Sequence, residues 1–246
     1  MNILEAISTR TVRNEKGSED IVLMRELSDA GQGLDFVHAD AHLLVVDKPA
    51  GLLSVPGRGA GKQDCLAVRV QGLYADALVV HRLDMATSGL LLMARGAAMQ
   101  RHLSRAFAQR QIGKRYVAVV AGRLAAGPCE SDGWALIDLP LAADWPNRPR
   151  RVVDLERGKP SQTRWRVLAY DADADATRLE LEPITGRSHQ LRVHLQSLGH
   201  PILGDNLYAP PEVRARAPRL LLHASALRLV HPATDEPLAW SSEPAF

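Results

Sequence analysis

The chain has 246 residues, a formal net charge of +2 and an ordinary globular composition, with 46% hydrophobic and 24% charged residues. No apolar stretch approaches the ~20 residues of a membrane-spanning helix, and the first residues lack the apolar core of a signal peptide, so we expect a cytoplasmic protein. The two cysteines, Cys65 and Cys129, do not form a CxxC pair and are interpreted as structural and unbridged.

Basic residues are segregated along the chain, although the net charge is small. Residues 85–129 contain no Asp or Glu, but they contain Arg95, Arg101, Arg105, Arg110, Lys114, Arg115 and Arg123. Residues 183–204 are also free of acids and contain Arg187 and Arg192. This distribution favours a partner with a phosphate backbone. The alternative is a solvated helix face whose acidic residues lie elsewhere.

Residues 1–33 are polar without sustained periodicity and predict a flexible extension, whereas residues 34–246 predict one domain. The patterns LDFVHAD and AHLLVVDKPAG predict two strands joined at Asp40 and Ala41. The Gly-rich loop that follows contains GRGAGK, which is one residue short of a P-loop. Gln63 stands where a P-loop has Ser or Thr, so we reject a nucleoside triphosphate site.

The segment His81–Ala94, HRLDMATSGLLLMA, places Asp84 in a short loop between two apolar runs. A helix precedes it, for which Asp64 is the expected cap and Leu66, Val70 and Leu73 the expected buried face. From spacing alone, Asp84 is either an ordinary turn residue or a carboxylate displayed on a rigid scaffold.

The middle of the chain predicts an amphipathic helix over Ala97–Gln111, ended by Gly113, with arginines on its outer side. A strand over Arg115–Ala121 follows. Its residue Tyr116 could be an ordinary core anchor with a hydrogen-bonded hydroxyl.

The C-terminal half predicts a hairpin of strands at 162–170 and 177–182, joined by DADADA. That loop matches four EF-hand positions, but Ala176 replaces the required Gly and the flanks are strands, so calcium binding is rejected. Ser188–Leu198 predicts a helix with Leu191, Leu195 and Leu198 on one face. Two strands surround HPATDEP. The whole predicts an α+β fold with a mixed, largely antiparallel sheet.

Several motifs together resemble one family. HRLDMATSG, LLVVDKPAGLLSVPGRG, GKRY, DWPNRPRRVV, GKPSQT, PITGRSHQLRVHLQSLGHPILGDNLYA and PRLLLHA occur in that order across about residues 35 to 231. They resemble the signatures of the RluA-type RNA pseudouridine synthases. The small RNA-binding domain that many relatives carry before the catalytic domain has no room here, so we expect the catalytic domain itself to recognise RNA.

The resemblance implies an isomerase that converts uridine to pseudouridine without a cofactor or metal. It implies that Asp84 is the catalytic carboxylate, acting as a nucleophile at the sugar or as a base at C2′. It also implies that Tyr116 stacks on the uracil and serves proton transfer at C5. Arg192 is the expected partner that keeps Asp84 ionised, because burial without a cation would favour the protonated carboxyl.

Other basic residues near these motifs are candidate RNA contacts. Arg82 resembles the residue that fills the space left by a flipped uridine. The remaining candidates are His81, Arg105, Arg110, Lys114, Arg115, Arg187 and His189.

Three functions compete on sequence grounds. The first is the RNA-modifying isomerase, and the second is a non-catalytic RNA-binding protein on the same fold. The third is a hydrolase built on the histidines, for which no metal spacing or Ser nucleophile motif is found. Within the family, DWPNRPRRVV and PEVRARAPRLLLHA most resemble members that modify both the tRNA anticodon stem-loop and a 23S rRNA hairpin. A relative acting on another rRNA or tRNA site is the alternative. No obligate protein partner or membrane is expected.

Overall fold

The computed structural model of the protein describes residues 33–125 and 132–246. The predicted extension, apart from Gly33, and Cys129 lie outside the described residues. Within these ranges, no helix is long and apolar enough to cross a bilayer.

Most of the apolar runs form one large sheet. Its strands in chain order are β1 (Asp35–Ala39), β2 (Leu43–Lys48), β3 (Ala77–Val79), β4 (Ser88–Arg95), β5 (Gly113–Ala121), β6 (Ala135–Asp138), β9 (Gln162–Asp171), β10 (Ala176–Pro183), β11 (Leu222–Val230) and β12 (Pro237–Ser241). A separate two-stranded sheet pairs β7 (Leu141–Ala143) with β8 (Arg151–Val153).

The large sheet runs in the order β1-β2-β4-β11-β5-β10-β9-β6, with β3 added to β4 and β12 added to β11. Its strand pairs are antiparallel except for β4 and β11, which run parallel. The predicted mixed, largely antiparallel α+β fold is therefore confirmed. The predicted hairpins β1–β2, β9–β10 and β11–β12 are all present.

The described residues form four α-helices: α1 (Leu66–Gln71), α2 (Gly96–Ala108), α3 (Gln190–Ser197) and the short α4 (Pro211–Arg214). The first three pack on the sheet, whereas α4 has no buried residue. Strand β4 is buried on both faces, because Leu91 and Met93 pack towards α1 while Leu90 and Leu92 pack towards α2. Helix α3 covers the other half of the sheet, where Leu191 and Leu195 contact the apolar residues of β5 and β10. The continuous apolar run in β4 reflects this two-sided burial.

The predicted helix cap at Asp64 was wrong. The cap of α1 is Cys65, whose buried Sγ accepts from the Val68 N–H at 3.5 Å, whereas Asp64 pairs with Arg69 on the surface. Leu73 lies beyond the end of this helix and is exposed.

Two further helix boundaries also differ from the prediction. Helix α2 ends at Ala108, before Arg110 adopts a left-handed conformation with φ 61°, and Gly113 begins β5 instead of ending the helix. Helix α3 begins at Gln190, because the preceding residue, His189, is left-handed with φ 58°. Leu198 follows α3 and is exposed. Backbone conformations of this kind leave no mark on hydrophobic periodicity.

The parallel junction of β4 and β11 depends on Gly89. This residue has φ +108°, and a Cβ at its position would lie 2.4 Å from the Ala224 carbonyl oxygen and 2.6 Å from its nitrogen. Glycine therefore allows the two backbones to approach directly behind the loop that carries Asp84.

We expect Gly89→Ala to lower the free energy of unfolding by at least about 3 kcal/mol, because a strained φ and a backbone clash add together. Urea denaturation measures this change. Gly199→Ala is the matched control, since Gly199 also has positive φ but no atom lies within 4 Å of its added Cβ. That control should lose only about 1–2 kcal/mol. Equal losses in the two variants would contradict the close-approach argument.

Candidate active site

The loop between β3 and β4 holds Asp84 at one end of the sheet, on the wall of a cleft of about 1530 Å³. Hydrogen bonds fix the residue on each side of it. Ser54 Oγ donates to the Leu83 carbonyl at 2.7 Å and accepts from the Leu83 N–H at 3.1 Å. The Met85 carbonyl accepts from the Gly51 N–H at 2.8 Å and from Lys48 Nζ at 3.2 Å. The Asp84 backbone is therefore preorganised by contacts to its neighbours.

Lys48 is fully buried beneath this loop. Its ammonium also donates to the carbonyls of Pro49 and Leu52, both at 2.8 Å. Burial lowers the pKa of Lys48 to about 8, although the negative charges of Asp84 and Asp47 oppose the shift. At neutral pH Lys48 is thus a cation behind the carboxylate, a contribution that the sequence did not reveal.

Asp84 faces a cation on the opposite side of the cleft. Its Oδ2 accepts from Arg192 Nη1 at 3.2 Å, while the side chain remains 26% exposed. The predicted pairing of Arg192 with Asp84 is therefore observed, and the carboxylate can still be reached by a ligand. His189 Nε2 lies 3.8 Å from Asp84 Oδ1.

Arg192 is shared between two carboxylates. Its Nε and Nη2 donate to Asp205 at 2.8 and 2.6 Å, and both side chains are buried. Burial alone would lower the pKa of Arg192, but its hydrogen bond to Asp205 and the charges of Asp205 and Asp84 raise that pKa instead. Asp205 also accepts from the N–H groups of Leu207 and Tyr208, so its own position is fixed by backbone. Asp205 was missed in the sequence, although it lies within the quoted motif GHPILGDNLYA.

His189 is held by Tyr208, a second residue that was missed. The His189 Nδ1 and the Tyr208 hydroxyl are 2.6 Å apart, and that hydroxyl also accepts from the Arg151 N–H at 2.8 Å. Burial lowers the pKa of His189, and the Arg192 charge adds to this effect while Asp84 opposes it. The imidazole is therefore neutral at neutral pH, and its left-handed backbone immediately precedes α3.

Tyr116 lies on β5 at the floor of the cleft, where two apolar clusters meet. Burial raises the pKa of Tyr116, and the negative charge of Asp84 raises it further. Its phenol is accordingly neutral at physiological pH. The cleft thus brings Asp84, Tyr116 and Arg192 together, as the resemblance implied.

The other predicted contacts divide into two groups. Six of them line the cleft: His81, Arg82, Arg110, Lys114, Arg187 and His189. Arg105 is exposed on α2 outside the cleft. Arg115 points to the opposite face of β5 from Lys114 and Tyr116, where it pairs with Glu182 at 3.4 Å and lies over the Trp134 ring.

His81 lines the cleft but is directed inward. Its Nε2 accepts from the Leu92 N–H at 2.9 Å, and its ring packs on Phe107 with centroids 4.5 Å apart. Burial, together with the charge of Lys114, lowers the pKa of His81 to about 3. It is therefore a neutral support for the loop instead of a cationic RNA ligand.

No group of three or more His, Cys, Asp or Glu side chains among residues 33–125 and 132–246 is arranged to hold a metal ion.

Comparison with known proteins gives a consistent result. The sequence matches the family described as RNA pseudouridylate synthase over residues 42–197. The dual-specificity RNA pseudouridine synthase RluA of Escherichia coli (strain K12) is 51% identical over 213 residues, covering 87% of this chain and 94% of that protein. The protein of the same name from Yersinia pestis is 50% identical over 85% of this chain and 98% of its own length.

Solved structures agree with the sequence comparison. Human RNA Pseudouridylate Synthase Domain Containing 1 has a TM-score of 0.70 at 28% identity, covering 87% of this chain and 84% of its own. Human RNA Pseudouridylate Synthase Domain Containing 4 has a TM-score of 0.66 at 26% identity, with coverages of 91% and 92%.

The shared guanidinium generates a prediction for Arg192→Lys. A lysine keeps the charge but lacks the planar fork that reaches Asp205 and Asp84 together. We expect a folded protein whose single-turnover rate falls at least about tenfold, a change of about 1.4 kcal/mol in the barrier. Arg157→Lys, the same exchange at an exposed arginine outside the cleft, should leave that rate within about twofold. A near-normal rate in Arg192→Lys would show that a point charge suffices.

Proposed function

The chain belongs to the RNA pseudouridylate synthase family, and we propose that its cleft isomerises uridine in two kinds of RNA hairpin loop. These are the tRNA anticodon stem-loop at uridine 32 and a 23S rRNA hairpin at uridine 746. The observation that carries the proposal is the Asp84 carboxylate, which is accessible in a basic cleft and paired with a buried arginine.

The reaction breaks the bond between N1 and C1′, turns the uracil and forms a bond between C5 and C1′. C5 then loses its proton, and N1 gains one. Electrons are not exchanged with any other group, so the residues of the cleft must supply the nucleophile or base and the proton transfers. A hydrolytic glycosidase places a second carboxylate to activate water. Here Asp205 is buried and occupied by Arg192. Glu182, the other carboxylate among the described residues that line the cleft, is paired with Arg164 and Arg115, so Asp84 is the carboxylate available to the sugar.

Asp84 acts on the ribose, either by attacking C1′ or by removing the proton from C2′. Both roles require the ionised carboxylate. Arg192 and the buried cation of Lys48 stabilise that charge against the loss of water when RNA closes the cleft.

Tyr116 stacks against the uracil and relays the C5 proton. Its position on the cleft floor, close enough to Asp84 for their charges to interact, supports this role. A neutral phenol can accept a proton on oxygen while it donates its own, so the relay does not require a phenolate in the free enzyme.

The target uridine leaves its stack to reach Asp84. Arg82 is exposed on the catalytic loop beside Asp84 and fills the space that the base vacates. Arg110, Lys114 and Arg187 bind the flanking phosphates. Because flipping is cheapest where bases are already unstacked, hairpin loops are favoured over duplexes.

The proposed pair of substrates is supported by the relatives described above, dual-specificity RNA pseudouridine synthases that are about 50% identical over most of both chains. The enzyme acts in the cytoplasm, where tRNA and ribosomal RNA are processed.

We expect Asp84→Asn to remain folded and to bind RNA, because the amide keeps the shape of the side chain, but to form no pseudouridine. The experiment incubates each protein with unmodified tRNA and 23S rRNA and maps the pseudouridines. The wild type should modify both proposed positions. Modification at other positions would redirect the substrate assignment, and residual turnover near the wild-type rate in Asp84→Asn would reject the role of Asp84.

Tyr116→Phe separates a structural role from a chemical one. A lost buried hydrogen bond would cost roughly 1–3 kcal/mol of stability and leave catalysis nearly intact. If the hydroxyl relays the C5 proton, the variant should instead keep its stability and stall after glycosidic cleavage.

RNA with 5-fluorouridine at the target distinguishes these outcomes, since it has no C5 proton to remove. The Phe variant should process this RNA at close to the wild-type rate. Equal impairment on uridine and 5-fluorouridine RNA would reject the relay.

A further inference from the structure

An exposed aromatic side chain lies at the tip of the small sheet of β7 and β8. The loop at its tip, residues 144–150, continues one wall of the cleft, because Pro149 and Arg151 line that cleft. Trp145 in this loop is 66% exposed. The other three tryptophans of the chain, Trp134, Trp165 and Trp240, are buried. An exposed tryptophan on the rim of a binding cleft therefore calls for an explanation other than core packing.

The indole is held in place by its own loop. Asp144 Oδ1 accepts from the N–H and side-chain amide of Asn147 at 3.3 and 3.1 Å. The Asp144 N–H donates to the Arg150 carbonyl, and the Arg150 N–H donates to the Asn147 carbonyl. The Arg148 guanidinium lies 4.2 Å from the centroid of the Trp145 ring, and its Nε donates to the Trp145 carbonyl. Arg148 thus covers one side of the ring, and the ring is presented in a fixed orientation.

The charge around the indole favours a polyanion. Arg148 lies over it, and Arg150 and Arg151 follow at the end of the same loop and the start of β8. The carboxylate of Asp144 accepts hydrogen bonds from Asn147. Arg151 Nε is buried and has no hydrogen-bond acceptor within the described chain. An acceptor supplied by a ligand would satisfy that donor. A flat aromatic surface flanked by guanidinium groups suits a nucleic acid strand, whose bases stack and whose phosphates accept hydrogen bonds.

The loop is also fixed relative to Asp84. The Arg151 N–H donates to the Tyr208 hydroxyl, which contacts His189, and His189 lies 3.8 Å from Asp84. A strand whose uridine reaches Asp84 therefore has neighbouring nucleotides at the rim that carries Trp145.

We propose that Trp145 is a stacking seat for one unpaired base of the same RNA loop that carries the target uridine, with Arg148 and Arg151 binding the adjacent phosphates. The inference rests on the proposed function for the identity of the RNA. It predicts that substrate selection depends on a nucleotide other than the target.

Steady-state kinetics on hairpin RNA test the seat. Trp145→Ala should raise KM about tenfold, because a base–aromatic stack is lost, and leave kcat within about twofold. Trp145→Phe should restore most of the affinity. Leu155→Ala is the matched control, since Leu155 is an even more exposed apolar residue, at 78%, just after β8. Its KM should match the wild type. Equal effects of the Ala variants at 145 and 155, or no effect of either, would overturn the proposal.

RNAs with an abasic site at each non-target loop position identify the stacked base. The effect of Trp145→Ala should disappear on one of these RNAs and persist on the others. An effect that is equal on every abasic RNA would reject a specific seat.

Fluorescence supplies a readout that does not need turnover. RNA should quench the wild type more strongly than Trp145→Phe, because the other tryptophans are buried. Quenching that depends on Trp145 with an RNA that is not modified would support the seat and reject that RNA as a substrate. Turnover without such quenching would reject the seat and retain the proposed function.

Discussion

The guanidinium of Arg192 contacts both a buried carboxylate of the fold and the carboxylate that faces the cleft. It is buried between Asp205, which is anchored by backbone N–H groups, and Asp84, which faces the cleft. Burying a charge is favourable only when its donors are satisfied, so Asp205 is what allows Arg192 to remain inside the protein. Arg192 in turn donates to the Asp84 carboxylate at 3.2 Å and so helps to fix its position. The buried Asp205 therefore positions Asp84, which faces the cleft, by way of Arg192.

The other side of Asp84 is constrained by hydrogen bonds to the loop backbone. Ser54 holds Leu83, while Lys48 and Gly51 hold Met85. Behind the loop, Gly89 lets β4 and β11 approach within backbone contact. Asp84 is thus fixed through its neighbours in the chain, which leaves its carboxylate oxygens free for Arg192 and for a ligand in the cleft. A fixed backbone with accessible carboxylate oxygens is what a preorganised catalytic group requires.

Hydrophobic patterning predicted the hairpins and the buried face of α3, because the spacing of apolar residues along a strand or helix reflects which face is buried. It misplaced the start of α3, where His189 is left-handed, and the cap of α1, which is a cysteine, Cys65. Asp205 and Lys48 were missed for a different reason, since their partners are brought together only by the fold. The orientation of Arg115 could have been predicted from the sequence, because alternate residues of a strand face opposite sides and Tyr116 was already assigned to the cleft.

The charges of the site also bear on the acidity of the Tyr116 phenol before and during the proposed reaction. Burial and the ionised Asp84 both raise the pKa of Tyr116 in the free enzyme. In the proposed reaction Asp84 loses its charge whether it forms a bond to C1′ or takes the proton from C2′. Either step removes the electrostatic part of that shift while burial remains. Under the proposed mechanism the phenol therefore becomes a better proton donor only after the glycosidic bond has been engaged, which is when the C5 proton must be exchanged.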